Sequence, residues 1–353
     1  MNFVIASHIV FFDNQNQEVH GPPHIVWDYI KTLGARTMFI KLDLNAYGRA
    51  VVEKYKGKKL VWKKTYPTLP GSLKHLGDFA LAIVKGWEGG GKETVFIGID
   101  PLNGLAGAVL KKLGKAKKLV YHTPDYSPRK YQNNFMEKLY RFADNRSIKN
   151  ADHVWAVSEK ILELRKKQGV LESKLFHIPN SPIATSPSTI RKNSKSLVFL
   201  TGNITKAVNL KLCQEAARSL KTTLFVIGES GQDDKHTKFL GKMPYQKVLK
   251  NLPQFGIGLA FYTKEEPWTT YCDPVKVRDY LACGLPVVVN QVPPVAKDIA
   301  KYQAGEIAND NVKSIASACK KIQQNYQTYS KNALKMARDF NSHPIICQAL
   351  EKL

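Results

Sequence analysis

Short apolar runs alternate with amphipathic helical stretches along almost the whole chain, and the alternation breaks once. Residues 3–6, RTMFIKL (36–42), TVFIGI (94–99), KLVYH (118–122), HVWAV (153–157) and KLFHI (174–178) are continuous apolar runs. Between them lie helical segments such as HIVWDYIKTLG, residues 72–87, LAGAVLKKL, a basic stretch over 131–150 and SEKILELRKKQG; LVW (60–62) adds a further short strand. A strand that is apolar on both faces must be covered on both faces, which implies a parallel sheet with helices above and below. Residues 179–196, PNSPIATSPSTIRKNSKS, are rich in Pro, Ser, Thr and Asn with no apolar period, and read as a linker. The alternation then resumes with SLVFLTG, TTLFVIG, FGIGLAFY and LPVVV. The expected fold is α/β, with two Rossmann-like doubly wound domains. They span residues 1–180 and 196–330, joined by a linker at 181–195. Terminal helices over 331–353 are expected to pack back on the first domain. Two such sheets facing each other would form a cleft, and ligands sit at strand C-termini in folds of this kind.

Composition excludes several classes. An apolar content of 43% rules out a disordered chain. The five cysteines are odd in number, confined to the second half and form no C-x-x-C pair, so a disulfide framework and a zinc site are not expected. The opening MNFVIASHIVFF has no basic start or small-residue cleavage site and reads as a buried strand rather than a signal peptide. No apolar run is long enough to cross a bilayer. A cytoplasmic protein is expected. The net charge of +24 is shared by both halves and is densest in KYKGKKLVWKK (54–64) and from Lys111 to Lys149. Such a surface suits phosphates, nucleic acid or anionic lipid, or simply keeps the protein soluble.

The strongest local signal is DPVKVRDYLACGLPVVVN (273–290). Lys276 and Asp279 are three apart and share a helix face. A lysine in a first helical turn can meet a diphosphate where backbone N–H groups also favour anions, and a carboxylate can accept hydrogen bonds from ribose hydroxyls. The same spacing also describes an ordinary surface pair.

The string P-x-K-x-x-D-Y-L-A-x-G-x-P-V-V resembles the donor-site signature of the bacterial "glycosyl transferases group 1" superfamily. TGNIT (201–205) resembles that superfamily's first glycine loop and VIGES (226–230) its second. FLGKMPYQKVLKNLPQFGIGLAFY (239–262) resembles the stretch where a nucleotide base docks. ADHVWAVSE (151–159) and HIPNSP (177–182) fit in the first half. The resemblance covers nearly all of residues 196–310 and implies a GT-B fold with a nucleotide-sugar donor, UDP- or GDP-linked. It implies donor contacts at Gly202, Asn203, Thr205, Gly228, Lys242, Met243, Tyr262, Lys276 and Asp279. Many members carry a Glu eight positions before the acid. Here that position is Tyr271, so the sugar contacts differ and stereochemistry stays open. The Lys three before the acid is similar to glucuronosyltransferase-type exopolysaccharide enzymes.

The chain has no D-x-D, the spacing with which the other glycosyltransferase fold holds a divalent metal. A metal-independent reaction without a cofactor is expected, with Lys276, helix N-termini and glycine-loop amides stabilising the diphosphate. Gly21 and Gly202 are the candidate positions for close backbone approach, although Gly21 also suits a tight turn. In VYHTPDYSP (120–128), Asp125 is the first candidate general base. His122 is the second, because an unperturbed imidazole titrates near neutrality. Between its two prolines Asp125 also reads as the start of a turn. Asp100 and Asn103 in IGIDPLNG are acceptor-binding candidates, with Asn103 also expected to cap the next helix.

Leu73, Leu76, Phe79, Ala80 and Ile83 recur at helical spacing, with Trp87 beyond. The stripe reads first as core-facing. Beside the Lys54–Lys64 cluster it reads second as a peripheral membrane face, which would suit a lipid-linked acceptor. The expected function is transfer of a hexose from a nucleotide sugar to a glycan or lipid-linked acceptor in polysaccharide or glycoconjugate biosynthesis. A sugar-nucleotide epimerase of the same fold would need more acids than this chain supplies. A basic nucleic-acid-binding protein would need a recognition motif, and none is present; no nucleic-acid partner is expected.

Overall fold

The structure, a computed structural model, describes residues 1–12, 17–44, 49–181, 195–202 and 206–353. The chain divides into two compact units, Met1–Ile178 with His343–Leu353, and Pro179–Ser342. The expected linker at 181–195 lies almost wholly outside the described residues. Of the expected terminal helices, Tyr326–Asp339 stays with the second unit, packing on helix Val275–Ala282. Only the last helix joins the first unit, where Ile346, Ala349 and Leu350 enter the core beside Phe3, Ile5 and Ile30.

In the first unit, six parallel strands run in the spatial order Leu175–His177, His153–Ala156, Lys118–Thr123, Thr94–Ile99, Asn2–Ile9 and Arg36–Asp43. Thr94–Ile99 is buried at every position, as its unbroken apolar run requires. Sequence order reverses on either side of Asn2–Ile9, so the chain leaves that strand in one direction and later returns on its other side. The crevice that such a reversal opens at the strand C-termini is where doubly wound sheets bind ligands.

The sheet is not wholly parallel. Arg49–Lys56 and Lys59–Pro67 add antiparallel to its edge, so the lysine-rich 54–64 segment is a hairpin. Its outer strand is exposed along nearly all its length, with Lys54 lying over the Trp62 ring. Lysines on an outer edge strand also discourage edge-to-edge pairing. Helix Lys74–Gly89 divides the expected apolar stripe. Phe79 and Ile83 pack on the core, whereas Leu73, Leu76 and Trp87 stay exposed.

In the second unit six strands are all parallel, in the order Thr237–Phe239, Leu224–Ile227, Leu197–Leu200, Ile257–Ala260, Val287–Val289 and Gly305–Ile307. Numbered along the unit this is 3-2-1-4-5-6, the doubly wound order whose switch point lies between Leu197–Leu200 and Ile257–Ala260. Both faces are filled by separate apolar clusters, one around Tyr280, Leu281 and Met336, the other around Phe199, Cys213 and Phe261. All five cysteines are free thiols.

Candidate functional site

In the second unit the chemistry gathers where the chain passes Asp273 into helix Val275–Ala282. Asp273 is buried, holds the Arg278 guanidinium at 2.9 Å and accepts from the Asn180 backbone N–H at 2.6 Å. The Tyr280 hydroxyl, beneath the sheet, accepts from the Leu200 N–H at 2.6 Å and so fixes the helix to the first strand of the unit. Gly258 leaves room for that ring, since a Cβ there would come within 2.5 Å of Tyr280. This frame places Lys276 in the first helical turn and Asp279 one turn on.

The two do not form a direct ion pair among the described residues. Asp279 Oδ1 instead accepts the Tyr245 hydroxyl at 2.7 Å. Burial lowers the Lys276 pKa to about 8, against the pull of Asp279. Burial raises Asp279 to about 7, against the Tyr245 hydroxyl and Lys276. Both charges are therefore held at a cost that an incoming polyanion and hydroxyl donors could offset.

The other donor-side candidates divide. A Cβ at Gly202 would meet nothing within 4 Å among the described residues. Gly228 is required by the backbone: its φ is +102° and a Cβ would fall 1.6 Å from the Thr201 carbonyl oxygen. Lys242 is exposed and Met243 packs against the core near Asn251. Tyr262 is a core side chain; its backbone N–H and C=O are both taken by Asn290. Asn203 and Thr205 lie outside the described residues. Gly21, in the first unit, precedes helix Pro22–Ile30 with an extended backbone that any residue could adopt, so it reads as a helix entry.

Of the two catalytic candidates in the first unit, His122 departs from expectation. His122 lies inside the sheet, 1% exposed, with its ring edge-on to Trp155; burial pushes its pKa down to about 4. It is a neutral core histidine rather than a proton carrier at the surface. Asp125 is half-exposed and pairs with Lys130 at 3.1 Å. Asn103 does not cap the following helix. Asp100 does, accepting from the Leu102 and Asn103 N–H groups, while the Asn103 amide donates to Asp100 Oδ2 at 2.8 Å.

Asp100 belongs to a cluster that the sequence reading missed. His8 is the penultimate residue of the strand Asn2–Ile9 at the reversal point, and Asp100 follows Thr94–Ile99, the neighbouring strand. The His8 Nδ1 lies 2.7 Å from Asp100 Oδ2, and its Nε2 lies 3.3 Å from Asp78 Oδ2. Burial by itself would lower the His8 pKa, but the Asp100 and Asp78 carboxylates overturn that and raise it to about 9. His8 is therefore an imidazolium at neutral pH. Asp100 adopts φ 81°, ψ 162°, a backbone region almost confined to glycine. Strain of this kind persists only where surrounding contacts hold it, here the helix cap and His8. Asp78 is 1% exposed, and its Oδ1 has no hydrogen-bond partner among the described residues. His8, His75 and Asp78 offer ligand atoms within 4.8 Å of one another. The Lys74 ammonium, 2.5 Å from Asp78 Oδ2, already occupies a cation's place there.

The comparisons with known proteins agree with these sheets. The Anabaena protein Alr3699/HepE in complex with UDP-glucose superposes with a TM-score of 0.66 at 15% identity, covering 100% of both chains. The α,α-trehalose-phosphate synthase (UDP-forming) of Burkholderia xenovorans gives 0.72 at 10% identity over 99% of each. The fold is that of the GT-B glycosyltransferases. Residues 198–353 of this GT-B chain match the family described as glucosyltransferase 3-like, C-terminal domain. A putative teichuronic acid biosynthesis glycosyltransferase, TuaH of Bacillus subtilis, is 23% identical over 227 residues. That alignment covers 58% of this chain and 57% of the relative, so the chain spans little more than half of that protein.

Proposed function

We propose that this chain transfers a hexose-type sugar from a UDP-sugar to a glycan or lipid-linked acceptor in polysaccharide or glycoconjugate biosynthesis. The observation that carries the reading is Lys276 and Asp279 on one helix beside the switch point of a 3-2-1-4-5-6 sheet, each with its charged form disfavoured by burial. A nucleoside diphosphate would relieve both: its phosphates stabilise the Lys276 ammonium, and its ribose hydroxyls donate to the Asp279 carboxylate. The match to a glucosyltransferase 3-like domain and the UDP-glucose bound by the Anabaena protein support UDP and a hexose. Lys276, the Gly202 backbone and the first amides of helix Val275–Ala282 would carry the leaving diphosphate without a metal.

On the acceptor side, Asp78 Oδ1 is a buried carboxylate oxygen with no hydrogen-bond partner among the described residues, and the His8–Asp100 pair stands beside it. Asp125 stays the first candidate to deprotonate the acceptor, with Asp78 added as a group that could meet it, and the buried His122 is set aside. The test is calorimetry with UDP-glucose and a transfer assay on the same preparations. Lys276→Ala should weaken donor binding, whereas Asp78→Asn should leave it intact and remove transfer. Unchanged donor affinity in Lys276→Ala would sink the reading.

A further inference from the structure

Helix Asn134–Asn150 carries a surface that donor chemistry does not use. Its inner face is well held: Ala143, Asp144 and Ser147 are buried, Ser147 donates to the Pro101 and Ala143 carbonyls, and Asp144 takes the Arg165 guanidinium at 2.6 Å. The outer face is unlike an ordinary solvated one. Phe135, Leu139 and Phe142 are 68%, 45% and 50% exposed. Their spacing of four and three places them in one narrow stripe along the helix. Lys138 flanks the stripe, and Arg146 and Lys149 continue it, all three exposed; the Arg146 guanidinium lies over the Phe142 ring at 5.1 Å.

The helix's two acids are kept off this face. Glu137 is turned to Arg141, 2.7 Å away, and Asp144 is inside. An exposed apolar stripe flanked on its helix by cations and asparagines, with no acid, matches a surface that is hydrocarbon below and anionic above. A nucleic acid would be matched by the cations but not by Leu139. A soluble protein partner would leave the absence of acids unexplained.

We propose that the outer face of helix Asn134–Asn150 docks on an anionic lipid bilayer, with Phe135, Leu139 and Phe142 entering the headgroup–acyl boundary and Lys138, Arg146 and Lys149 meeting lipid phosphates. This gives the lipid-linked acceptor of the proposed function a place to be met, and it rests on that reading only for its purpose. It also moves the expected membrane face away from helix Lys74–Gly89, whose Phe79 and Ile83 are committed to the core.

The test is flotation of the full chain with vesicles of phosphatidylcholine mixed with phosphatidylglycerol, against phosphatidylcholine alone, across a salt series. Binding is expected only to the anionic vesicles and to weaken with salt. The combined variant Phe135→Ser, Leu139→Ser, Phe142→Ser should lower partitioning by at least about tenfold, because three buried apolar contacts are lost. Lys138→Glu with Lys149→Glu should abolish the preference for anionic vesicles. Each variant is first checked for an unchanged melting temperature and an unchanged circular dichroism spectrum. No sugar transfer is read, so failure here is separate from failure of the proposed function. Equal flotation on neutral vesicles, no flotation, or full flotation of the serine variant would overturn the proposal. So would a wild-type dimer that the serine variant converts to monomer.

Discussion

The affinity of this protein for UDP-glucose should peak between about pH 7 and pH 8 and fall on both sides. On the proposed reading, donor binding needs Lys276 charged and Asp279 ionised. In the free protein burial sets their pKa values near 8 and 7, so each is only partly in its productive form near neutrality. Above pH 8 the lysine must recapture a proton to bind, and affinity should fall by up to about tenfold per pH unit. Below pH 7 Asp279 is increasingly protonated and accepts ribose hydroxyls poorly, so affinity falls again. UDP-glucose is the right probe because its diphosphate has no ionisation in this range. Losing one hydrogen bond to a charged group costs about 1.5–3 kcal/mol. Lys276→Met should therefore raise Kd roughly 10- to 150-fold and erase the alkaline limb. Asp279→Asn should erase the acid limb. Titration calorimetry from pH 6 to 9 in buffers of different ionisation enthalpy reads both the affinity and the protons taken up. A flat profile, or limbs that survive in the matching variants, would refute the reasoning.

Two further predictions concern the first unit. His8 is raised from 6.5 to about 9, so its contribution to stability is complete below pH 6.5 and is lost as pH rises through 9. The shift corresponds to about 3 kcal/mol. Denaturant unfolding at pH 6 and pH 9.5 should show a loss in wild type that His8→Gln largely lacks; equal pH dependence in the two would count against the cluster. Asp144 holds Arg165 on two oxygens in a fully buried network with Tyr121. Asp144→Asn should cost about 3–5 kcal/mol by leaving the guanidinium uncompensated, measurable as a lower denaturation midpoint, whereas a loss below about 1 kcal/mol would mean the pair is solvated.

Alternating apolar runs and helices were readable because burial on both faces of a strand is a local property of a few consecutive residues. Lys276 and Asp279 were readable for the same reason, since one helix carries both and one motif spans them. The segment 49–67 was read mainly as a basic cluster because its lysines mask the strand pattern; only pairing with Arg36–Asp43 made it a sheet edge. Asn103 was expected as a cap on residue type alone, but the strained turn put Asp100 in that position. His122 looked available because it follows an apolar run, and its register beside Trp155 inside the sheet decided otherwise. Asp100 was an acceptor-binding candidate, but its partners His8 and Asp78 left no local trace. The three come from a strand end, a helix and a loop up to 92 residues apart, and only the crossover that sets Asn2–Ile9 beside Thr94–Ile99 brings them within hydrogen-bond reach. The sequence by itself determined the layers and the helix that carries Lys276 and Asp279, which depend on neighbours along the chain. The tertiary structure decided the acid–base cluster and the outward face of Asn134–Asn150, which depend on what packs against them.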